Sequence, residues 1–142
     1  MSGRSPKDVR ELIIEQQRIE REVERLAQEV ALIDRSIGDA EGALSALEAI
    51  KKGEAKEDDL LFPVGGGIFL RGKLSEKERV VVNVGSNVFL TKGIEEAINL
   101  LKERLNLLNR AKTERVQALS TLRRRYDEIA AILAEERVKA GK

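Results

Sequence analysis

Apolar residues recur along the chain with two different periods, and the changes of period divide it into three segments. Across residues 5–52 they follow a heptad without a break. The a positions are Val9, Gln16, Val23, Val30, Ile37 and Leu44, and the d positions are Leu12, Ile19, Leu26, Ile33, Ala40 and Leu47. Eleven of these twelve are apolar, while charged residues such as Glu20, Arg21, Glu22, Glu24 and Arg25 fill the other faces. That pattern predicts one long coiled-coil helix. Its ends are marked as well. Ser5 is suited to cap the N-terminus, Pro6 to the first helical position and Asp8 to the first turn. Lys51, Lys52 and Gly53 form the matching stop, with cations in the last turn and a glycine for a left-handed cap.

A second helix is predicted within residues 93–138, entered through Thr91 or Gly93. Its a positions are Ile98, Leu105, Lys112, Leu119, Tyr126 and Leu133, and its d positions are Ile94, Leu101, Leu108, Arg115, Leu122 and Ile129. Lys112 and Arg115 interrupt this seam. Ala111 and Val116 stand beside them as substitutes, so a local register adjustment is expected there. Each helix would run roughly 60–65 Å at the standard rise. Equal lengths and matching seams predict antiparallel pairing within the chain. Charge favours the same pairing: residues 7–52 carry 8 basic and 11 acidic residues, and residues 92–142 carry 12 basic and 8 acidic.

Residues 54–92 read differently. A charged loop over 54–59 leads into short β-branched and aromatic runs separated by Gly, Ser and Asn, which predict four strands in two hairpins. Their apolar positions are Leu61, Phe62, Val64, Ile68, Phe69, Leu70, Val80, Val82, Val84, Val88, Phe89 and Leu90. Pro63 belongs at an edge or strand end. Runs such as 80–82 and 88–90 are apolar on both faces and need cover on both sides. Four short strands cannot supply that cover, and their bare edges would template aggregation. The strands of several chains are therefore expected to assemble into a shared sheet or β-barrel. The fold class is α+β, read as a single domain over residues 1–142: a long antiparallel coiled-coil hairpin with two β-hairpins inserted between its helices.

Composition removes most chemistry. The chain has 142 residues, 36% of them charged and 3% aromatic, and no Cys, His or Trp. Thiol nucleophiles, disulfides, cysteine zinc sites and the commonest general base are thereby excluded. No enzyme reading survives, and no metal or cofactor is expected. A net charge of +1 leaves no footprint for nucleic acid or an anionic membrane. The N-terminus lacks an apolar h-region and no stretch suffices for a membrane span, so a cytoplasmic protein is expected.

Four local motifs remain. Gly67-Ile68-Phe69-Leu70-Arg71-Gly72-Lys73 has the G-x-x-x-x-G-K spacing of a phosphate loop. However, Leu74 follows instead of Ser or Thr, the intervening residues are strand-like, and no helix comes next. A hairpin with glycines at turns or bulges fits better. Arg123, Arg124 and Arg125 suit a solvated face or ion pairs to the acidic helix better than a nucleic-acid contact. Gly38 and Gly42 lower helix propensity and allow close approach, a bend or a tolerated imperfection. At the open end of the hairpin, Val9, Leu12 and Ile13 meet Ile129, Ile132 and Leu133. A frayed apolar end there could bind another apolar chain, although ordinary packing explains the residues equally.

Long helix, two hairpins and long helix in about 140 residues resembles the prefoldin alpha class. Leu61-Phe62-Pro63-Val64-Gly65-Gly66-Gly67-Ile68-Phe69-Leu70 is similar to the family's L-x-P-x-G-x-G-x-F-x segment. Val82-Asn83-Val84-Gly85-Ser86-Asn87-Val88-Phe89-Leu90 is similar to its V-x-V-G-x-x-V-x-V hairpin, and Glu96-Ala97-Ile98 to its E-A-I helix start. Thr91-Lys92 departs from the family, which carries an acidic residue there. The resemblance implies an ATP-independent chaperone subunit of the archaeal type. Two alpha and four beta subunits would join through β-barrels, and the coil tips would hold unfolded polypeptide clients for transfer to a group II chaperonin. Relatives that build filaments from one chain type leave a rival reading, a structural coiled-coil oligomer or filament protein without a client. A helical arm that docks on RNA is a third.

Overall fold

In the computed structural model the elements follow one another as α1 (Pro6–Lys52), β1 (Leu60–Gly65), β2 (Ile68–Gly72), β3 (Arg79–Asn83), β4 (Phe89–Gly93) and α2 (Ile94–Ala140). The described residues are 3–54 and 58–141, so the middle of the charged loop expected over 54–59 lies outside them.

Both helix ends of α1 are built as their residues dictate. The Ser5 hydroxyl accepts from the Asp8 amide at 3.2 Å, and the Asp8 carboxylate accepts from the Ser5 amide at 3.3 Å. This reciprocal box satisfies donors that the first turn leaves free, and places a carboxylate at the positive end of the dipole. At the other end Gly53 takes φ +73°. Its amide donates to Ile50 O at 3.1 Å, and the Glu54 amide donates to Ala49 O at 3.0 Å. That is a Schellman termination, which needs a left-handed residue at the glycine position.

The chain divides into two compact units. One takes in Met1–Arg35 and Asn109–Lys142, the other Ser36–Leu108. In the first unit the helical seam is dry at Ile19, Leu26, Leu119 and Ile129, with Ile129 0% exposed. Every other a and d position there is half-buried, including Gln16, Lys112 and Arg115. The register adjustment expected at Lys112 and Arg115 does not occur. Both cations stay half-buried in the seam; of the two expected substitutes, Ala111 is half-buried beside them and Val116 is exposed. The physical reason is reach. Their aliphatic stems fill the seam while their heads extend to carboxylates on α1. Lys112 Nζ lies 2.7 Å from Asp34, and Arg115 Nε lies 2.8 Å from Glu29.

Further pairs continue this ladder. Arg125 holds Glu15 through two bonds of 2.5 and 3.0 Å, which assigns the third arginine of the run to the ion-pair role. The Tyr126 hydroxyl donates to Glu20 at 2.9 Å, and Arg4 stands 3.6 Å from Glu136. Apart from Glu136, whose side chain is largely covered, these groups are exposed or half-exposed, and such pairs are each worth little alone. Their sign pattern matters for register: between the ends the acids sit on α1 and the bases on α2, with the order reversed at Arg4–Glu136.

In the second unit the buried residues are Ala40, Ala97 and Ile98. Lys102 pairs with Glu48 at 3.9 Å, and Lys51 pairs with Glu95. The strands form two separate antiparallel pairs, β1 with β2 and β3 with β4. In the first, Leu60 faces Gly72 and Gly65 faces Ile68, with a bulge between Pro63 and Gly65. Gly66 and Gly67 close the turn at φ +60° and +77°, a pair of left-handed residues that suits the twist of a tight hairpin. Gly72 has another purpose. A Cβ there would stand 2.8 Å from Phe62 Cε2, so the Phe62 ring covers the bare backbone. The G-x-x-x-x-G-K spacing is thus a turn glycine and a ring-bearing glycine on one hairpin.

In the second pair Arg79 faces Gly93 and Asn83 faces Phe89. Val84 and Val88, expected in strands, lie just beyond them in the connection. The Val84 amide donates to Val88 O at 2.9 Å, and the Val88 amide donates to Gly85 O at 2.9 Å. The shift follows from Ser86 and Asn87, whose φ of +50° and +61° make a tight turn that ends the ladder early. Strand β3 is tied to α2 near both its ends. The Ile94 amide donates to Glu78 O at 2.8 Å, and Arg104 donates to Asn83 O at 2.7 Å.

Candidate functional site

Among the described residues, two surfaces gather several apolar side chains that the chain leaves in water, apart from scattered ones such as Leu32 and Leu107. The larger is the strand region of the second unit. On β1 and β2, Leu61, Phe62, Val64, Ile68, Phe69 and Leu70 are all exposed, between 40% and 60%. A two-stranded ribbon has two faces and no second layer, and here neither face is covered by enough of the chain to hide these residues. Phe89 and Leu90 on β4 are exposed too, as are Val84 and Val88 in the connection.

Strand β3 behaves differently. Val80 and Val82 are half-buried, and they line an open crevice of about 410 Å³ with Ala43, Leu47, Ala97 and Leu101. Small alanines on both helices leave room for this strand. Val81, between them, points away and is 69% exposed. Among the strand residues singled out from the sequence, Val80 and Val82 therefore serve packing within the chain. Val81, absent from that set, faces solvent. Alternation along the strand was the signal, masked by three consecutive valines. Each ribbon also offers unpaired strand edges.

The second surface is the tip of the first unit. The six apolar residues read from the sequence at this end divide between the seam and its flanks. Ile129 is a core residue, and Leu12 is half-buried in the seam. Val9, Ile13 and Leu133 line one shallow groove of about 700 Å³, together with Pro6, Gln16 and Ala140. In heptad terms Ile13 lies at an e position and Ile132 at a g position. These positions flank the seam on opposite sides, so Ile132, half-buried, does not join the groove. Ile13 is 40% exposed. Ile14 and Val138 are exposed as well, and neither was singled out from the sequence. Ile14 was detectable, being an isoleucine at an outward f position.

Electrostatics at the tip are local. The guanidinium of Arg125 beside Glu15 holds that carboxyl below the usual carboxylate range, and Arg125 itself is pushed up by the same bond. The Tyr126 phenol is raised by its hydrogen bond to Glu20. No group of three or more His, Cys, Asp or Glu among the described residues is placed to hold a metal ion. No helix among them is long and apolar enough to cross a membrane. Gly38 and Gly42 face open space, so neither permits a close approach within the chain.

An antiparallel helix pair broken by two separate β-ribbons, with bare apolar ribbon faces, defines a subunit of the prefoldin fold class. The family model "Prefoldin subunit" matches residues 19–139. Among similar proteins, the prefoldin subunit alpha of Pyrococcus horikoshii is 32% identical over 124 residues, covering 87% of this chain and 84% of that one. The prefoldin subunit alpha of Methanothrix thermoacetophila is 38% identical over 112 residues, covering 77% and 72%. The chain belongs to the prefoldin family. Its fold is also that of filamentous PFD from Methanocaldococcus jannaschii, solved by cryo-EM, with a TM-score of 0.67 at 24% identity over 82% of this chain and 96% of that one.

Proposed function

We propose that this chain is the alpha subunit of an ATP-independent chaperone, which holds non-native polypeptides at its coil tips and transfers them to a group II chaperonin. Its ribbons join those of a second alpha subunit and four beta subunits in a shared β-barrel core, in the cytoplasm. The observation that carries the assembly half is the β1–β2 ribbon, apolar on both faces and uncovered. Such a surface on a lone chain is an aggregation hazard, and paired with others it is an interface. The tip half draws on the groove of Val9, Ile13 and Leu133. Each tip offers little area, so each contact is weak. Several tips on one frame raise the apparent affinity through effective concentration.

The test is suppression of light scattering by a chemically denatured client diluted into buffer. The assembled protein lowers the aggregation signal, and Ile13→Ser with Leu133→Ser removes most of that protection while the assembly mass stays the same. A structural oligomer or filament without a client, the second reading, gives no protection in either form.

A further inference from the structure

Resting on the reading that the tip holds non-native chains, we infer that its groove selects apolar client segments that carry a carboxylate next to the apolar anchor. The floor of the groove is aliphatic, from Val9, Ile13 and Leu133. Its rim carries Arg4, Arg10, Arg137 and Glu136. Two of these charges are already engaged. Glu136 lies 3.6 Å from Arg4 and 3.8 Å from Lys139, with its side chain only 11% exposed. Arg10 and Arg137 are exposed, and neither makes an ion pair or side-chain hydrogen bond within the chain among the described residues. The groove therefore presents an apolar trough between two uncommitted guanidinium groups, one from each helix.

Charge complementarity names the occupant. A guanidinium is a rigid fork of donors that fits a carboxylate with two parallel bonds, and its planar face packs on apolar side chains. An extended chain seating a Leu or Phe in the trough brings its neighbouring residues over the rim, where Asp or Glu meets Arg10 or Arg137. Lys or Arg in the same place meets like charge. The net charge of +1 hides this local surplus, because the acids of α1 and the bases of α2 cancel over the whole sequence. Exposed ion pairs are individually modest, so the selection amounts to about threefold to tenfold at low ionic strength.

The experiment measures fluorescence anisotropy of two labelled unstructured peptides of equal apolar content, one with Glu and one with Lys flanking each Leu, titrated with the assembled full-length protein. The Glu peptide binds about threefold to tenfold tighter, and the preference fades in 0.5 M salt. Arg10→Gln with Arg137→Gln brings the two peptides to within about twofold while leaving the helical signal and the native mass unchanged. Ile13→Ser weakens both peptides alike. Equal binding of the two peptides to the unaltered protein overturns the charge selection and leaves the tip reading standing. A preference that survives the double variant places the acid-reading groups elsewhere and overturns it too. Failure to bind either peptide, together with no suppression of client aggregation, overturns the tip reading itself. A change of native mass in the double variant makes the groove a contact between copies of the chain, and also refutes the inference.

Discussion

Truncating Ile129 tests whether the tip of the first unit is a closed core or an open mouth. Ile129 is fully buried, whereas Ile13 is 40% exposed. Ile129→Ala removes three carbons from a dry seam. At roughly 0.8 kcal/mol per buried methyl or methylene, plus a cavity that a rigid helix pair fills poorly, the cost is about 3–4 kcal/mol. Ile13→Ala removes the same atoms from a groove open to water, and costs about 1 kcal/mol or less. Because an assembled protein need not unfold in two states, local opening is the suitable observable. Hydrogen exchange followed by mass spectrometry reads it directly. Amides over residues 125–133 and 12–19 lose about a hundredfold or more of their protection in Ile129→Ala, and about fivefold or less in Ile13→Ala. Similar, small losses in both variants would refute the burial argument. So would an Ile129→Ala protein with intact protection and abolished client holding, because Ile129 would then be a contact surface.

Three further outcomes follow from particular residues. Gly38→Ala and Gly42→Ala add a methyl that meets nothing within the chain, so each raises thermal stability, by about 0.5–1 kcal/mol; a loss in either shows that another chain packs on that face. Gly72→Ala pushes the Phe62 ring off the ribbon and lowers stability by about 1–2 kcal/mol, and Phe62→Leu in the same chain recovers part of that in a double-mutant cycle. Glu15, held below its ordinary 4.5 by Arg125, contributes stability that is present above that value and lost as pH falls through the depressed one. Tyr126, raised above 10.0, contributes stability present below that value and lost as pH rises through the raised one. Circular dichroism melts across pH check both arms: Glu15→Gln lessens the fall on the acid side, where Glu22 and Glu76 are also held low, and Tyr126→Phe lessens it on the alkaline side.

Much of the fold was legible because it is written in periods. The heptad positions of α1 are all buried or half-buried, and Ser5, Pro6 and Gly53 mark its two ends. The seam at Lys112 and Arg115 was misread, because a pattern of polarity sees a cation as a defect. It does not see that a long stem packs while its head reaches Asp34 or Glu29. The outward direction of Val81 was hidden for the opposite reason: three identical valines carry no alternation. At the tip the heptad already set Ile129 in the seam and Ile13 and Ile132 beside it. What the packed pair adds is that Ile13 lines the groove with Val9 and Leu133 while Ile132, on the other flank, does not. Arg10 and Arg137 were invisible as a pair, since they stand 127 positions apart and each looks like ordinary helix surface.

The most direct measurement is the native mass of the full chain, alone and mixed with a beta-type prefoldin subunit. Assembly through the uncovered ribbons gives a complex of two copies of this chain with four of the other, and Phe69→Glu with Leu61→Glu disperses it while both helices remain formed. A chain that stays a monomer in both samples, with its ribbons bare in solution, would contradict the assembly and the chaperone function built on it.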